Sequence, residues 1–113
     1  MKMRVKDLVE KVGFRHIAGK TALEKELTGL YCCDLLSWVM SHAKQGDAWI
    51  TVQTHVNVVA IASLLDLGCI IIPEDAEIDN ATVDKAVDED IAILATHLSS
   101  FEIFKRLYEQ GLR

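Results

Sequence analysis

The chain has 113 residues, 50% of them hydrophobic, and its twelve basic and seventeen acidic side chains leave a net charge of −5. That length fits one domain burying roughly two-thirds of its unfolded surface, and the absence of any basic block or aromatic-basic interleaving argues against nucleic acid as a partner. The opening Met1-Lys2-Met3-Arg4-Val5-Lys6-Asp7 lacks a signal-peptide core, and no apolar run approaches the ~20 residues that span a bilayer, so a cytoplasmic protein without a membrane partner is expected.

Val5, Leu8, Val9 and Val12 recur at helical spacing, and Gly13 follows where a left-handed cap belongs. Phe14 to Ile17 reads as a short strand ended by Gly19, and Leu27 to Cys32 as a second extended segment running into Asp34. Asp34 is the expected N-cap of a helix from Leu35 to Ala43, which Gly46-Asp47 breaks. A third strand, Ala48 to Gln53, leads through Thr54, again an expected cap, into a helix from His55 to Leu67 that is apolar almost all round. Gly68 ends it, and Cys69-Ile70-Ile71-Ile72 is a wholly apolar strand stopped by Pro73, the one proline. Beyond an acidic loop come a weak helix from about Asn80 to Asp88 and a strand from Ile91 to Ala95. The last helix opens with the capping-box pattern Ser99-Ser100-Phe101-Glu102 and closes at Gly111.

Apolar strands alternating with helices predict a three-layer α/β domain over residues 1–113, with a mostly parallel sheet of about five strands and helices on both faces. The high hydrophobic content and a mean hydropathy of +0.20 predict apolar surface covered by a second copy, hence a homodimer. The apolar helix from His55 to Leu67 or the face bearing Trp38 is the expected interface.

The chemistry-bearing motifs are sparse. Gly19-Lys20-Thr21 imitates the end of a phosphate-binding loop, but that motif needs a glycine at position 14, where Phe14 stands, so an ordinary turn is expected. Four histidines and three cysteines show no paired metal-ligand spacing, and adjacent Cys32 and Cys33 do not make a disulfide framework; neither a metal nor another cofactor is expected. No catalytic set is legible.

Thr54-His55 and Thr96-His97 both follow apolar strands and lead into helices, which in a parallel sheet puts them on the carboxyl edge together with Asp34. Helix N-termini there offer free backbone N–H groups to an anion. The candidate ligand-binding residues are therefore Asp34, Gln53, Thr54, His55, Asn57, Thr96, His97 and Ser99. Simple capping is the competing account of the same residues, and an enzyme would require Asp34, His55 and His97 to converge around one deep pocket.

The run from Leu23 to Met40, the segment Gly46 to His55 and the segment Thr96 to Glu102 resemble the DRTGG domain family across essentially the whole chain. Thr28-Gly29 of the naming motif survives, whereas Glu24-Lys25 stands in place of Asp-Arg and Leu30 in place of the second glycine. The resemblance implies a three-layer α/β domain similar to the N-terminal domain of the kinase that phosphorylates the phosphocarrier protein HPr. It also implies a regulatory, dimerising accessory of the kind found beside CBS domains in regulated pyrophosphatases, with no catalytic residues to carry over. A ligand-sensing, non-catalytic module is the function so implied, with a nucleotide or other small anion as ligand. The alternative is a stand-alone interaction subunit that docks on a metabolic enzyme and takes no small molecule.

Overall fold

Three neighbouring strands are apolar on both faces, and this decides the architecture, because such strands must be covered from both sides. The computed structural model describes residues 2–112. In chain order the elements are β1 (Met3–Arg4), α1 (Val5–Asp7) running into a π-helical turn (Leu8–Val12), β2 (Arg15–Ala18), a 3₁₀ turn (Thr21–Glu24), β3 (Glu26–Leu27) and β4 (Gly29–Cys32). They continue as α2 (Leu36–His42), β5 (Asp47–Ile50), α3 (Asn57–Leu65), β6 (Cys69–Ile72), α4 (Asn80–Glu89), β7 (Ile93–Ala95) and α5 (Ser100–Glu109).

The main sheet has the order β2-β7-β6-β5-β4; β4 to β7 are parallel and β2 runs antiparallel at one edge. Alternation along each strand divides the core in two. Ala48, Ile50, Ile71 and Leu94 pack against Leu8, Ile103 and Leu107 of the first and last helices. Trp49, Ile70, Ile72 and Ile93 pack against Val39, Val58, Val59, Ala62 and Ala86 of α2, α3 and α4. The result is the predicted three-layer α/β arrangement.

Several expected boundaries moved, each for a local reason. The extended segment Leu27 to Cys32 is broken at Thr28, whose amide donates to Gly46 O (3.0 Å), and its first part pairs as β3 with β1, a strand too short to read from sequence. Asp34 does not cap α2: position 35 occupies the N-cap without a side-chain bond, and the Asp34 carboxylate turns to β5 instead. Thr54 does not cap α3, whose N-cap is Val56; its carbonyl accepts the Thr82 hydroxyl at 2.6 Å. The helix from His55 to Leu67 is shortened to Asn57–Leu65 and wedged against α2 and α4, leaving Leu64 as its exposed large apolar side chain. It ends on Asp66 in the left-handed region (φ 53°) rather than on Gly68.

Gly19 is required by close approach. Its φ is 86°, and a Cβ there would stand 2.5 Å from the Ala92 backbone. Gly19→Ala is expected to cost about 2–4 kcal/mol, from φ strain plus overpacking, whereas Gly13→Ala, with similar φ but open space, should cost about 1–2 kcal/mol. Equal losses in denaturant titrations of the two variants would contradict the close-approach argument.

Three carboxyls are held below the usual range. Lys25 Nζ (2.6 Å) and Gln45 Nε2 (2.7 Å) do this for Asp66, the Thr21 hydroxyl for Asp90, and the Ser99 amide (3.2 Å) for Glu102. A depressed folded-state pKa stabilises above the unfolded value, and that contribution disappears as pH falls through the folded one. The melting temperature should therefore decline below about pH 4, with a shallower acid limb in Asp66→Asn. A protein whose stability rises on acidification through that range would contradict these assignments.

Candidate functional site

The carboxyl ends of β4, β5, β6 and β7 share one edge of the sheet, together with the amino end of antiparallel β2. The eight residues singled out from sequence fall there in two groups with different environments.

At the β4–β5 end the polar groups satisfy one another. Asp34 Oδ1 accepts the Thr51 hydroxyl (2.7 Å) and the Val52 amide (2.9 Å). Gln53 Nε2 donates to Asp34 O (3.0 Å), and the buried Trp49 donates Nε1–H to Cys33 O (2.9 Å). Thr54 is engaged through its carbonyl, and His55 Nδ1 accepts from the Asn57 amide at 3.3 Å on the exposed first turn of α3. These bonds lock two strand ends together.

At the β7 end, Thr96 is buried and its hydroxyl accepts the Leu98 amide (3.2 Å), which turns the chain so that His97 projects outward, exposed. Ser99 caps α5: its hydroxyl accepts the Glu102 amide (3.2 Å) and the Glu102 carboxylate accepts the Ser99 amide, the reciprocal pattern read from sequence.

The connections after β6 and β7 leave to opposite faces, the arrangement that opens a crevice in α/β sheets. Between those two strands it is stitched shut, since Glu74 N donates to Leu98 O (2.9 Å) and Asp75 N to Thr96 O (3.0 Å), with both residues in the left-handed region. The opening lies on the far side of β7. There Gly13, Arg15, Asp75, Thr96, His97 and Arg106 line a cavity of about 530 Å³, with apolar wall from Val12 and Leu98. Arg15 Nη2 pairs with Asp75 Oδ1 at 3.2 Å, and Arg106 and His97 both help to hold the Glu102 carboxyl low, after its bonds to Ser99.

Thus Thr96 and His97 share this cavity, while Asp34, Gln53, Thr54, His55 and Asn57 stand apart at the other strand ends. β4 and β7 are three strand spacings apart, roughly 14 Å, and Asp34 does not line the cavity that His97 lines. Arg15 and Arg106 were not singled out from sequence. Arg106 was legible, because 99, 102 and 106 share one helical face; Arg15 was not, because its place on this edge depends on β2 being antiparallel.

Among the described residues no group of three or more His, Cys, Asp or Glu side chains could hold a metal ion. Burial pushes the Cys69 thiol up to about 12, and desolvation raises that of exposed Cys32, so both favour the protonated form. Gly19-Lys20-Thr21 forms a turn in which the Thr21 hydroxyl donates to Asp90. No described helix is long and apolar enough to cross a membrane.

Comparison with solved structures finds the same architecture in the CBS and DRTGG domains of the regulatory region of Clostridium perfringens pyrophosphatase, complexed with its activator diadenosine tetraphosphate. The TM-score is 0.75 over 96% of the present chain, at 14% sequence identity. The fold is DRTGG-like. The chain spans about half, 47%, of that neighbour's length. No protein-family model matches the sequence, and no curated protein does.

In this DRTGG-like fold the Asp34 carboxylate reinforces the β4–β5 ladder by tying the segment after β4 to the end of β5. Asp34→Ala leaves the buried Thr51 hydroxyl without its acceptor and should cost about 1–2 kcal/mol, with Thr51→Val recovering part of the loss in the double variant. Strict additivity of the two substitutions in chemical denaturation would contradict the coupling.

Proposed function

We propose that this chain is a non-catalytic regulatory module that senses a small anionic ligand, of nucleotide or polyphosphate type, and works as a homodimer. The observation that carries the reading is the convergence of Arg15, His97 and Arg106 on one cavity at the carboxyl edge. Guanidinium groups fit phosphate oxygens in bidentate fashion. The apolar wall from Val12 and Leu98 suits a base or other flat group.

Support also comes from the neighbour of the same fold, a regulatory region complexed with diadenosine tetraphosphate. Of the residues read from sequence, Thr96 and His97 belong to the proposed site and Ser99 supports it by starting α5. Asp34 and Gln53 act by holding the neighbouring strand ends, Thr54 ties to α4 through Thr82, and His55 and Asn57 bond to each other at the start of α3. Binding works against Asp75, whose carboxylate pairs with Arg15 in the free protein, so the ligand must replace that partner, while the Glu102 carboxylate is bonded to Ser99.

The second reading, an adaptor that docks on a metabolic enzyme, draws on exposed apolar side chains, Trp38 and Phe101 among them. It needs no small molecule.

Titration calorimetry with diadenosine tetraphosphate and with ATP separates the two. Binding should weaken with added salt, fall at least about 10-fold in Arg106→Ala, and strengthen in Asp75→Asn, which frees Arg15. Absence of heat with both compounds, or affinity indifferent to the Arg106 and Asp75 substitutions, would overturn the sensor reading and favour the adaptor.

A further inference from the structure

The two edges of the main sheet are protected very differently. β2 carries Arg15 and His16 and a register shift between His16 and Ala18, the devices that keep an edge from pairing with another chain. β4, at the other edge, reads Gly29-Leu30-Tyr31-Cys32: no charge, no proline, no bulge, and among the described residues a partner on one side only.

The flanks of β4 are equally unguarded. From Gly29 to Ala43 the one ionisable carboxyl or ammonium group is Asp34, whose carboxylate is already bonded to Thr51 and Val52. α2 has no charged side chain, unlike α4 and α5, yet it exposes Trp38 and Met40, and Leu35 lies exposed just before it. Trp38 is stacked on His42 (centroids 4.0 Å apart, 14° between planes), so this large ring is held in place while half exposed. On the opposite face Leu30, Phe101 and Phe104 line a mainly apolar groove between β4 and α5 that Lys105 and Glu109 border.

We infer that the β4 edge, with Trp38 on one side and Phe101 on the other, is a docking surface for a second copy of this chain, the two β4 strands pairing about a two-fold axis. The inference rests on the homodimer reading above and names its surface. A copy of itself is the occupant that the chemistry favours: the β4–α2 strip, whose one carboxylate is internally bonded, meets its identical copy without burying an unpaired charge, and the α5 side brings one charge of each sign, Lys105 and Glu109. Size agrees as well. With aromatic side chains of roughly 150–250 Å² each, the exposed 52% of Trp38, 76% of Phe101 and 57% of Tyr108 amount to about 400 Å² per protomer. That is about half of what one partner contributes to a standard interface, and Leu30, Leu35 and Met40 add to it.

Light scattering after gel filtration, on the wild-type chain and on Trp38→Glu, Phe101→Glu, Leu64→Glu and Val87→Glu, tests this, with far-UV circular dichroism verifying that each variant is folded. Met40→Lys replaces either aromatic variant that fails to fold. The wild type should be a dimer at micromolar concentration, with the β4 amides protected from hydrogen exchange. Trp38→Glu and Phe101→Glu should dissociate it, weakening association at least about 30-fold, while Leu64→Glu and Val87→Glu, exposed on α3 and α4, should leave it intact. A dimer that survives the first pair and fails in the second overturns the surface and leaves the homodimer standing. A wild-type monomer overturns both, and leaves the ligand titration to be judged by itself.

Discussion

Burial of β5, β6 and β7 on both faces is the constraint from which the rest of the molecule follows. Trp49, Ile50, Ile70, Ile71, Ile72, Ile93 and Leu94 are essentially inaccessible, and each such side chain contributes about 1.5–3 kcal/mol relative to exposure. Neither face can be left to water, so one helical layer is built from α2, α3 and α4 and the other from the N-terminal helical segment and α5. The helices must then return between successive parallel strands, which places every strand-to-helix connection on a single edge. The location of polar chemistry is a consequence of hydrophobic covering.

On that edge, the same residue types serve two ends. Asp34, Thr51 and Gln53 close on one another, and a side chain that satisfies its neighbour has little left for a ligand. Across β6 the arrangement differs, because the turn at Pro73–Asp75 occupies the crevice and pushes the opening to the far side of β7, where β2 brings Arg15 and α5 brings Arg106. Arg15, held by the exposed Asp75 carboxylate, is a cation whose partner can be exchanged.

Elements governed by local chemistry were legible in the sequence. β6 stands as read, from Cys69 to Ile72, because four apolar residues end at a proline; α5 does too, because Ser99 and Glu102 satisfy each other three residues apart. What failed was whatever depended on contacts between distant segments. Asp34 and Thr54 are good caps by composition, yet β5 lies within reach of the first and Thr82 claims the carbonyl of the second. β1 and β3 are two residues each and exist through pairing alone. The candidate site was legible in its place on the sheet and in Thr96 and His97. Of its arginines, Arg15 was hidden because it lies on an antiparallel strand, whereas Arg106 shares a helical face with Ser99 and Glu102 and was open to reading. Leu30, in place of a glycine, is an ordinary strand residue.

The most direct test of the ligand-sensing account is amide chemical-shift mapping of the ¹⁵N-labelled chain titrated with diadenosine tetraphosphate. The account predicts that the largest shifts cluster at Gly13, Arg15, His97 and Leu98, with little change at Val52, Gln53 and Asn57. Shifts centred on the Asp34–Asn57 end, or a spectrum unchanged at saturating ligand, would contradict it.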